Sequence, residues 1–345
     1  MDRTEAPRRS KVTIADVARA AGVSVGTVSH IMSGKKGVSE VRRRRVLDAV
    51  KQLGYIPNVH AQGLRTATSK IIGLCLPHGS TYYLNALANE LEDAASEQGY
   101  SILHIFSRQD PDIELKRIKD LLRFRVDGLV IFPTAEAQPS LDFLNAKSVP
   151  TVLVDRSNGD ERFDQITLDN TRAMEEVARH LIGRGHRHIL FVFRSITISV
   201  TAARMVGLER AVAQAPEPVQ VSLLEAGRGE DLLTDQLARF TAGPNRATAV
   251  VVSNSSQAAR VLISLKQMQI RIPEDMSVVA FDDTDWSQLV DPPLATVRQP
   301  ARNIARTAFQ LLLDRIARRD IPPQIMSMRP EFVPRGSVGD APDRS

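Results

Sequence analysis

The sequence predicts a small all-α headpiece followed by a two-lobed α/β domain with two parallel sheets. Three observations support this. The chain has 345 residues, which exceeds the size at which one hydrophobic core usually stays single. Residues 12–57 read as three short helices, and from Ile71 onward apolar β runs alternate with amphipathic helical segments. Such alternation is typical of parallel sheets buried on both faces, and seven β runs indicate two sheets rather than one.

The first two helices are predicted within residues 12–34. Thr13 and Asp16 have the spacing of a capping box, so a helix is expected to begin here. Gly22 stands where a tight turn between helices needs a residue that tolerates positive φ, and Ser24 is a favourable N-cap for the second helix. The pattern is that of a helix-turn-helix, in which outward residues at the start of the second helix would meet base edges in the major groove.

A third helix is expected between Ser39 as N-cap and Gly54 as C-cap. Its predicted apolar side is made of Val41, Val46, Leu47, Val50 and Leu53.

The body of the chain follows as alternating segments. The predicted β runs are 71–76, 101–106, 128–132, 151–154, 188–193, 249–252 and 277–281. The predicted helical segments are 84–98, 113–124, 170–184, 202–214, 231–240 and 256–268.

Charge is divided unequally along the chain. Residues 1–70 hold 14 Lys and Arg against 5 Asp and Glu, a net charge of +9, whereas the remaining 275 residues hold 31 against 35, a net charge of −4. A basic module joined to a mildly acidic body is typical of nucleic-acid binding, because neutralising phosphates supplies the sequence-independent part of the affinity.

Composition argues against several other classes of protein. No window approaches the roughly 20 apolar residues of a membrane span, and no apolar segment follows the charged N-terminus, so we expect a cytoplasmic protein with no membrane partner. Cys75 is the only cysteine and is expected to be a buried hydrophobic residue. We expect no cofactor and no enzymatic activity, because the G-x-G-x-x-G, G-x-x-x-x-G-K-[ST] and H-E-x-x-H motifs are absent. Besides an enzyme, the alternative class is an exported sugar-binding protein, which the basic headpiece and the missing signal peptide argue against.

An ordered series of motifs resembles the LacI/GalR family of bacterial repressors. It begins at Thr13 with T-I-A-D-V-A-R-A-A-G-V-S-x-x-T-V-S and continues with G-V-S-E, L-G-Y-I-P-N and L-R-T. The resemblance implies a periplasmic-binding-protein-like second domain, a homodimer, double-stranded operator DNA as partner and a small-molecule effector between the lobes. It also implies that residues after Asn58 form a hinge helix on the operator, where Leu64 wedges into the minor groove.

The predicted DNA-binding residues combine the outward helix positions with this resemblance. They are Thr13, Ser24, Val25, Gly26, Thr27, Ser29, His30, Ser33, Tyr55, Asn58, Ala61 and Leu64. The two leading recognition positions, Val25 and Gly26, offer only methyl contact or no side chain. His30 stands where the family usually has arginine, which replaces a bidentate guanine reader with a weaker donor. We therefore expect looser or unusual base readout, with DNA binding retained.

The predicted effector site lies at the carboxyl ends of the strands, where two-lobed α/β proteins bind ligands. Its candidate residues are Tyr82, Tyr83, Arg156, Arg204, Asn254, Asp282 and Trp286. The resemblance assigns ligand hydrogen bonds to Arg204, Asn254 and Asp282. Such groups beside aromatic rings suit a sugar, a sugar acid or a related metabolite, and Arg228 together with Ser255 in place of the family aspartate favours an acidic one. The alternative is that buried Arg and Asp side chains pair with each other across the cleft.

Other patterns leave alternatives open. The run Arg42–Arg45 is either a solvated helix face or a phosphate contact. The G-x-S-x-G pattern at 22–26 lacks the strand that a hydrolase elbow requires. A metal site at His180, His186 and His188 lacks completing ligands, so these histidines favour an ordinary turn.

The domain boundaries are predicted as follows: a disordered tail at 1–11, the helix-turn-helix domain at 12–57, the hinge and linker at 58–70, the effector domain at 71–336 and a tail at 337–345. Lobe 1 is expected at about 71–168 and 298–323, and lobe 2 at about 169–297 and 324–336.

Overall fold

The computed structural model describes residues 12–32, 37–55, 68–78, 81–156, 159–226, 232–318 and 320–342. The chain divides into two compact units, Met1–Ser69 and Lys70–Ser345. The predicted tail at 1–11 and the predicted hinge up to residue 67 lie outside the described residues.

The described part of the first unit consists of helices α1 Ile14–Ala21, α2 Val25–Met32 and α3 Glu40–Leu53. The capping box between Thr13 and Asp16 is present, and Gly22 has a φ of 65°, as predicted. The Ser24 hydroxyl accepts a hydrogen bond from the Thr27 N–H at 3.1 Å, which confirms Ser24 as a cap. The small core centres on Val17, Val28 and Val46, each fully buried.

Two residues predicted on the apolar side of α3 are in fact exposed. Val41 is 63% exposed and Leu47 is 48% exposed. The buried stripe of this helix instead runs through Val46, Ala49 and Leu53, which are three and four residues apart and therefore share one face. Leu47 is about 100° away from that stripe on a 3.6-residue helix, so its side chain turns to solvent.

In chain order, the strands of the second unit are β1 Ile71–Leu76, β2 Ser101–Phe106, β3 Gly128–Ile131, β4 Thr151–Asp155, β5 Asp164–Leu168, β6 His188–Phe193, β7 Gln220–Glu225, β8 Ala249–Val252, β9 Ser277–Phe281, β10 Ala295–Arg298, β11 Ile325–Met328 and β12 Glu331–Val333. Its helices are α4 Tyr82–Glu97, α5 Pro111–Arg123, α6 Gln138–Ala146, α7 Asn170–Gly183, α8 Ser199–Ala213, α9 Leu232–Thr241, α10 Ser255–Gln267, α11 Asp285–Leu289 and α12 Ala301–Ala317.

The first lobe is a parallel sheet in the order β11-β5-β4-β3-β1-β2. Helices α4 and α12 cover one face, where Leu74, Leu87 and Leu312 are fully buried. Helices α5 and α6 cover the other face over Leu129 and Ile131. Both faces of the central strands are therefore apolar, as the uninterrupted β runs predicted.

The second lobe repeats this plan in the order β12-β10-β9-β8-β6-β7. Helices α7 and α8 pack on one face around Phe191 and Phe281, and α9 and α10 pack on the other around Val250 and Val278. Edge strand β12 runs antiparallel to β10, whereas the other strand pairs are parallel. The predicted two-sheet α/β class is thus present, with one antiparallel edge.

One lobe boundary differs from the prediction. Residues 324–336 were expected in the second lobe, but β11 pairs with β5 in the first, with Met326 opposite Ile166. The chain crosses between the sheets only after Met328, and β12 begins three residues later at Glu331.

The segment predicted as a tail from residue 337 is packed on the second lobe through residue 341. The Ser337 hydroxyl donates to the Val278 carbonyl and accepts from the Ala295 N–H, both at 2.7 Å. Val338 is buried in the core. The prediction failed because the segment has no helix or strand periodicity, and its order comes from hydrogen bonds to other elements.

The described part of the chain contains no helix long and apolar enough to cross a membrane.

Candidate functional site

The outward side of α2 is the candidate nucleic-acid face of the first unit. Val28 and Ile31 point into the core, while Val25 is 44% exposed and Gly26 is exposed. A Cβ added at Gly26 would meet only the Ser24 hydroxyl, at 3.6 Å. The start of α2 therefore presents a low, accessible surface that a groove of DNA can approach closely.

The structure places the predicted DNA-binding residues in three groups. Exposed residues are Thr13, Ser24, Val25 and Gly26. Partly buried residues are Thr27, Ser29, His30 and Tyr55. Ser33, Asn58, Ala61 and Leu64 lie outside the described residues. On α3, Arg42, Arg44 and Arg45 are exposed and Arg43 is partly buried, an arrangement compatible with either alternative for this run.

A cleft of about 460 Å³ lies at the carboxyl ends of strands from both sheets of the second unit. Five of the seven predicted effector-site residues line it: Tyr83, Arg156, Arg204, Asn254 and Asp282. Tyr82 and Trp286 are not among the lining residues. Tyr82 is 43% exposed on α4. Trp286 lies in α11 and packs against the apolar core of the second lobe.

Arg204 is held in place by the second lobe. Its guanidinium Nε donates to Asn170 Oδ1 at 2.8 Å, and Nη1 donates to the Ser253 carbonyl at 2.6 Å. The guanidinium carbon lies 3.4 Å from the centre of the Phe281 ring. Burial lowers the Arg204 pKa to about 10, against the opposing effect of nearby Asp282 and Asp155. The side chain is thus a fixed cation in the wall of the cleft.

Asp282 faces the cleft from the end of β9. Its Oδ2 accepts hydrogen bonds from the Ser255 N–H and hydroxyl, each at 3.1 Å, and Oδ1 accepts from Gln299 Nε2 at 2.6 Å. Because the hydrogen bonds of Asp282 and of Arg204 go to neutral groups, the alternative of a direct pair between these two charges is not what the structure shows.

Arg156 follows β4 at the opposite wall and is 8% exposed. Its Nη1 donates to Gln109 Oε1 at 2.8 Å and to the Pro133 carbonyl at 3.2 Å. Asp155 Oδ2 lies 3.9 Å from Arg156 Nε. Burial lowers the pKa of Arg156 and raises that of Asp155.

Tyr83 and Asn254 have different local roles. The Tyr83 hydroxyl is buried without a hydrogen-bond partner in the described structure. Burial, together with the negative charges of Asp155 and Asp282, raises the Tyr83 pKa well above its ordinary value. Asn254 caps α10, since its Oδ1 accepts from the Gln257 N–H at 2.9 Å. Asn254 thus has a structural role in addition to its position on the cleft.

Sequence reasoning missed several lining residues: His78, Gln109, Asp155, Arg194, Arg260 and Gln299. Asp155 and Arg194 had a usable signal, since Asp155 ends β4 and Arg194 directly follows β6. Arg194 Nη1 lies 3.3 Å from His78 Nε2 and so joins the two lobes across the cleft. Gln299 had no such signal because it follows β10, which was not predicted.

The three histidines considered as a metal site have protein partners instead. His186 contacts the Thr248 hydroxyl at 2.9 Å and the Gly339 carbonyl at 3.2 Å. His188 contacts the Asn245 carbonyl and the Ser222 hydroxyl. His180 packs edge-on against Phe332.

Comparison with known proteins identifies the family. Residues 13–58 match the bacterial regulatory proteins of the lacI family, and residues 178–338 match the periplasmic binding protein-like domain. The HTH-type transcriptional repressor PurR of Vibrio cholerae is 33% identical over 331 residues, covering 95% of this chain and 98% of that protein. The chain belongs to the LacI family of bacterial regulatory proteins. PurR of Mannheimia succiniciproducens is 31% identical to this LacI-family regulator over 329 residues, covering 94% of the chain and 98% of that protein.

Solved structures confirm the fold of this LacI-family regulator. The lac repressor dimer bound to operator and the anti-inducer ONPF superposes with a TM-score of 0.83 at 24% identity, covering 96% of this chain and 100% of that one. The CelR–cellobiose complex gives a TM-score of 0.70 at 25% identity, covering 94% and 99%. The predicted class, a helix-turn-helix DNA-binding domain followed by a periplasmic-binding-protein-like domain, is therefore correct.

Proposed function

We propose that this regulator is a homodimeric, sequence-specific repressor that acts in the cytoplasm and whose operator affinity is set by a small molecule bound in the cleft. The proposal rests on the exposed N-terminal end of α2. This helix belongs to the first unit, and residues 1–70 have a net charge of +9. Phosphate neutralisation supplies affinity for duplex DNA, and α2 supplies contacts to base edges.

Base readout is proposed to come from the outward residues of α2, with Val25 and Gly26 at the two leading positions and His30 further along the helix. Thr13, Ser24, Thr27 and Ser29 would contact the same groove or its phosphates. Neither a valine nor a glycine can read a base through two hydrogen bonds, and a histidine is a weaker guanine reader than an arginine. The operator is therefore expected to tolerate more sequence variation than one read by arginine.

The effector is proposed to be a sugar, a sugar acid or a related metabolite. In the cleft, Asp282 can accept hydrogen bonds from ligand hydroxyl groups and Arg204 can donate hydrogen bonds to them, beside the aromatic side chain of Tyr83. Its volume of about 460 Å³ lies within the range of small-molecule sites. The similar CelR structure contains cellobiose, which supports this class of ligand.

Control of DNA binding is proposed to follow from closure of the two lobes around the ligand. A ligand that contacts both walls binds the closed form more tightly and shifts the equilibrium between forms. Because the coupling is reciprocal, the same free energy changes the affinity for the operator. Release of DNA by the effector is the direction that the resemblance to the family favours.

Selection of duplexes from a random pool by the full chain tests the proposal. The expected result is a palindromic preference whose affinity falls with salt and in which few positions are invariant. The variant His30→Arg should gain a guanine preference at one position of each half-site, because arginine can donate two hydrogen bonds to guanine O6 and N7. The proposal fails if no sequence is enriched.

A further inference from the structure

We infer that the ligand of the cleft is an organic anion whose carboxylate or phosphate group is bound by Arg156. This inference rests on the proposed function, because it names the chemical class of ligand for the same cleft.

The wall of the cleft has an excess of positive charge. Among the described residues that line it, four are arginines, Arg156, Arg194, Arg204 and Arg260, and two are aspartates, Asp155 and Asp282. The wall thus has two more formal positive charges than negative ones. Charges in a partly dry site are costly unless they are compensated, and a ligand of opposite charge compensates them on binding.

Two carboxylates near Arg156 accept hydrogen bonds from other groups. Both oxygens of Asp282 accept hydrogen bonds from Ser255 and Gln299. Glu114 also acts electrostatically on Arg156, but it is buried away from the cleft lining, and its Oε2 accepts from the Thr134 N–H at 2.8 Å. Neither carboxylate hydrogen-bonds to Arg156.

Arg156 is a buried residue of the cleft wall. The side chain is more than nine-tenths buried, and both acceptors of its Nη1 are neutral. Its buried Nε has no hydrogen-bond partner in the described structure. The Asp155 carboxylate, 3.9 Å away, is beyond hydrogen-bond distance. A carboxylate or phosphate in the cleft can accept from this Nε and a neighbouring amino group in the two-pronged geometry that suits a guanidinium.

Two of the other three arginines do not present the same opportunity. Arg204 already donates to Asn170 and Ser253 and stacks on Phe281. Arg194 contacts His78 across the cleft. A neutral sugar could use the hydroxyl-binding groups of the cleft, but it would leave the surplus positive charge uncompensated.

Thermal unfolding of the full chain tests the inference. The probes are D-gluconate, D-glucuronate, D-glucose 6-phosphate and inorganic phosphate, compared with D-glucose and D-glucitol at the same ionic strength set by sodium chloride. At least one anion is expected to raise the unfolding temperature in a saturable way, because ligand binding to the folded state alone stabilises it. The neutral compounds are expected to give a smaller shift or none.

Variants locate the effect. Arg156→Gln is expected to weaken binding of the stabilising anion by at least about 10-fold, the loss associated with hydrogen bonds between charged groups. Arg156→Lys keeps the charge without the paired donors, so it should show an intermediate loss and confirm that the site folds. Arg123→Gln, at a side chain that is 80% exposed, is the matched control and should bind as the parent chain does.

Three outcomes overturn the inference. They are stabilisation by neutral sugars only, stabilisation by anions that is unchanged in Arg156→Gln, and no anion effect beyond that of chloride. The first outcome would leave the proposed function intact, because a neutral effector would still occupy the cleft. Failure of the proposed function itself would appear separately, as absence of sequence preference in the duplex selection.

Discussion

Two aspartates at the cleft have an unusual backbone. Asp155 has a φ of 71° and Asp282 a φ of 75°, a left-handed conformation that aspartate tolerates better than most residues other than glycine. Each is at the carboxyl end of a strand, β4 in the first lobe and β9 in the second. Such strain costs about 1–3 kcal/mol per residue and clusters at functional sites. Its occurrence on both walls supports the cleft as the ligand site.

The neighbouring residue Asp283 stabilises the second lobe. It accepts hydrogen bonds from Arg335, Thr296 and Arg298 at 2.6–2.9 Å. Burial alone would raise the Asp283 pKa, but these hydrogen bonds outweigh burial and lower it from 3.8 to about 2. Since the carboxyl side chain is only 6% exposed, this shift corresponds to about 2 kcal/mol of stability above pH 4, which is lost as the pH falls from about 4 to about 2.

Asp283→Asn is therefore expected to lower the free energy of unfolding at pH 7 by about 2 kcal/mol or more, and to reduce its dependence on pH between about 4 and about 2. Urea titrations followed by the fluorescence of Trp286, the only tryptophan, measure both quantities in the relevant lobe. Asp285→Asn, at an exposed position two residues away, is the control and should change stability by less than about 0.5 kcal/mol. An unchanged acid dependence in Asp283→Asn would contradict the prediction.

Much of the cleft could be predicted from the sequence because its residues follow recognisable strands. Asp282 comes directly after an apolar run and Arg156 comes two residues after another, and the geometry of parallel sheets brings such positions together. The same reasoning could not show that Tyr83 lines the cleft while Tyr82 and Trp286 do not. Which of two adjacent tyrosines faces the cleft depends on the phase of α4, and Tyr83 is buried there while Tyr82 is exposed.

At the scale of elements, helices α7 and α8 of the second lobe approach each other closely at Gly207. A Cβ at Gly207 of α8 would lie 2.1 Å from the Thr171 carbonyl oxygen and 3.0 Å from the Glu175 nitrogen, both backbone atoms of α7. Any side chain here forces the two helices apart. Arg204 is one turn earlier on α8, so the same movement would displace a wall of the cleft.

Gly207→Ala is expected to lower the free energy of unfolding by about 3 kcal/mol, the upper range for an overpacked core. Gly183→Ala is the matched control, because it changes the last glycine of α7 where an added Cβ meets nothing within 4 Å. This control should be neutral or stabilise by up to about 1 kcal/mol, through the better helix propensity of alanine. Trp286 fluorescence during urea unfolding provides the measurement, and equal stability of the two variants would count against close packing of these helices.

Six of the seven strands that sequence reasoning found are buried on both faces, and the seventh, the partly exposed edge strand β2, was found from its run of apolar residues. The missed strands are β5, β7, β10, β11 and β12. Strand β5 begins with buried Asp164, whose charge is matched by Arg315 of α12 at 2.9 Å, so its burial depends on a residue 151 positions away in sequence. Strands β7, β11 and β12 are sheet edges with exposed positions, and their patterns lack the continuous apolar character of a central strand.

At the scale of the whole molecule, composition predicted two kinds of unit, but it could not trace the chain between the lobes. Only two residues separate β11 in the first sheet from β12 in the second. Both strands are short and partly exposed, so local pattern gives no reason to assign them to different sheets. Their assignment comes from pairing with β5 and with β10, which is a long-range property of the fold.

The two units differ in charge and have separate apolar cores. Because residues 70–345 contain both complete sheets, a chain lacking residues 1–69 is expected to unfold at the same urea midpoint as the full chain when followed by Trp286 fluorescence. It should also lose binding to non-specific duplex DNA, since the positive net charge is in the part removed. If the full dimer makes about six phosphate contacts, raising the salt concentration from about 50 to about 200 mM is expected to lower its affinity for this duplex on the order of 1,000-fold. Fluorescence anisotropy of a labelled duplex measures both chains, and salt-dependent binding by the shortened one would place the DNA-binding surface in the second unit instead.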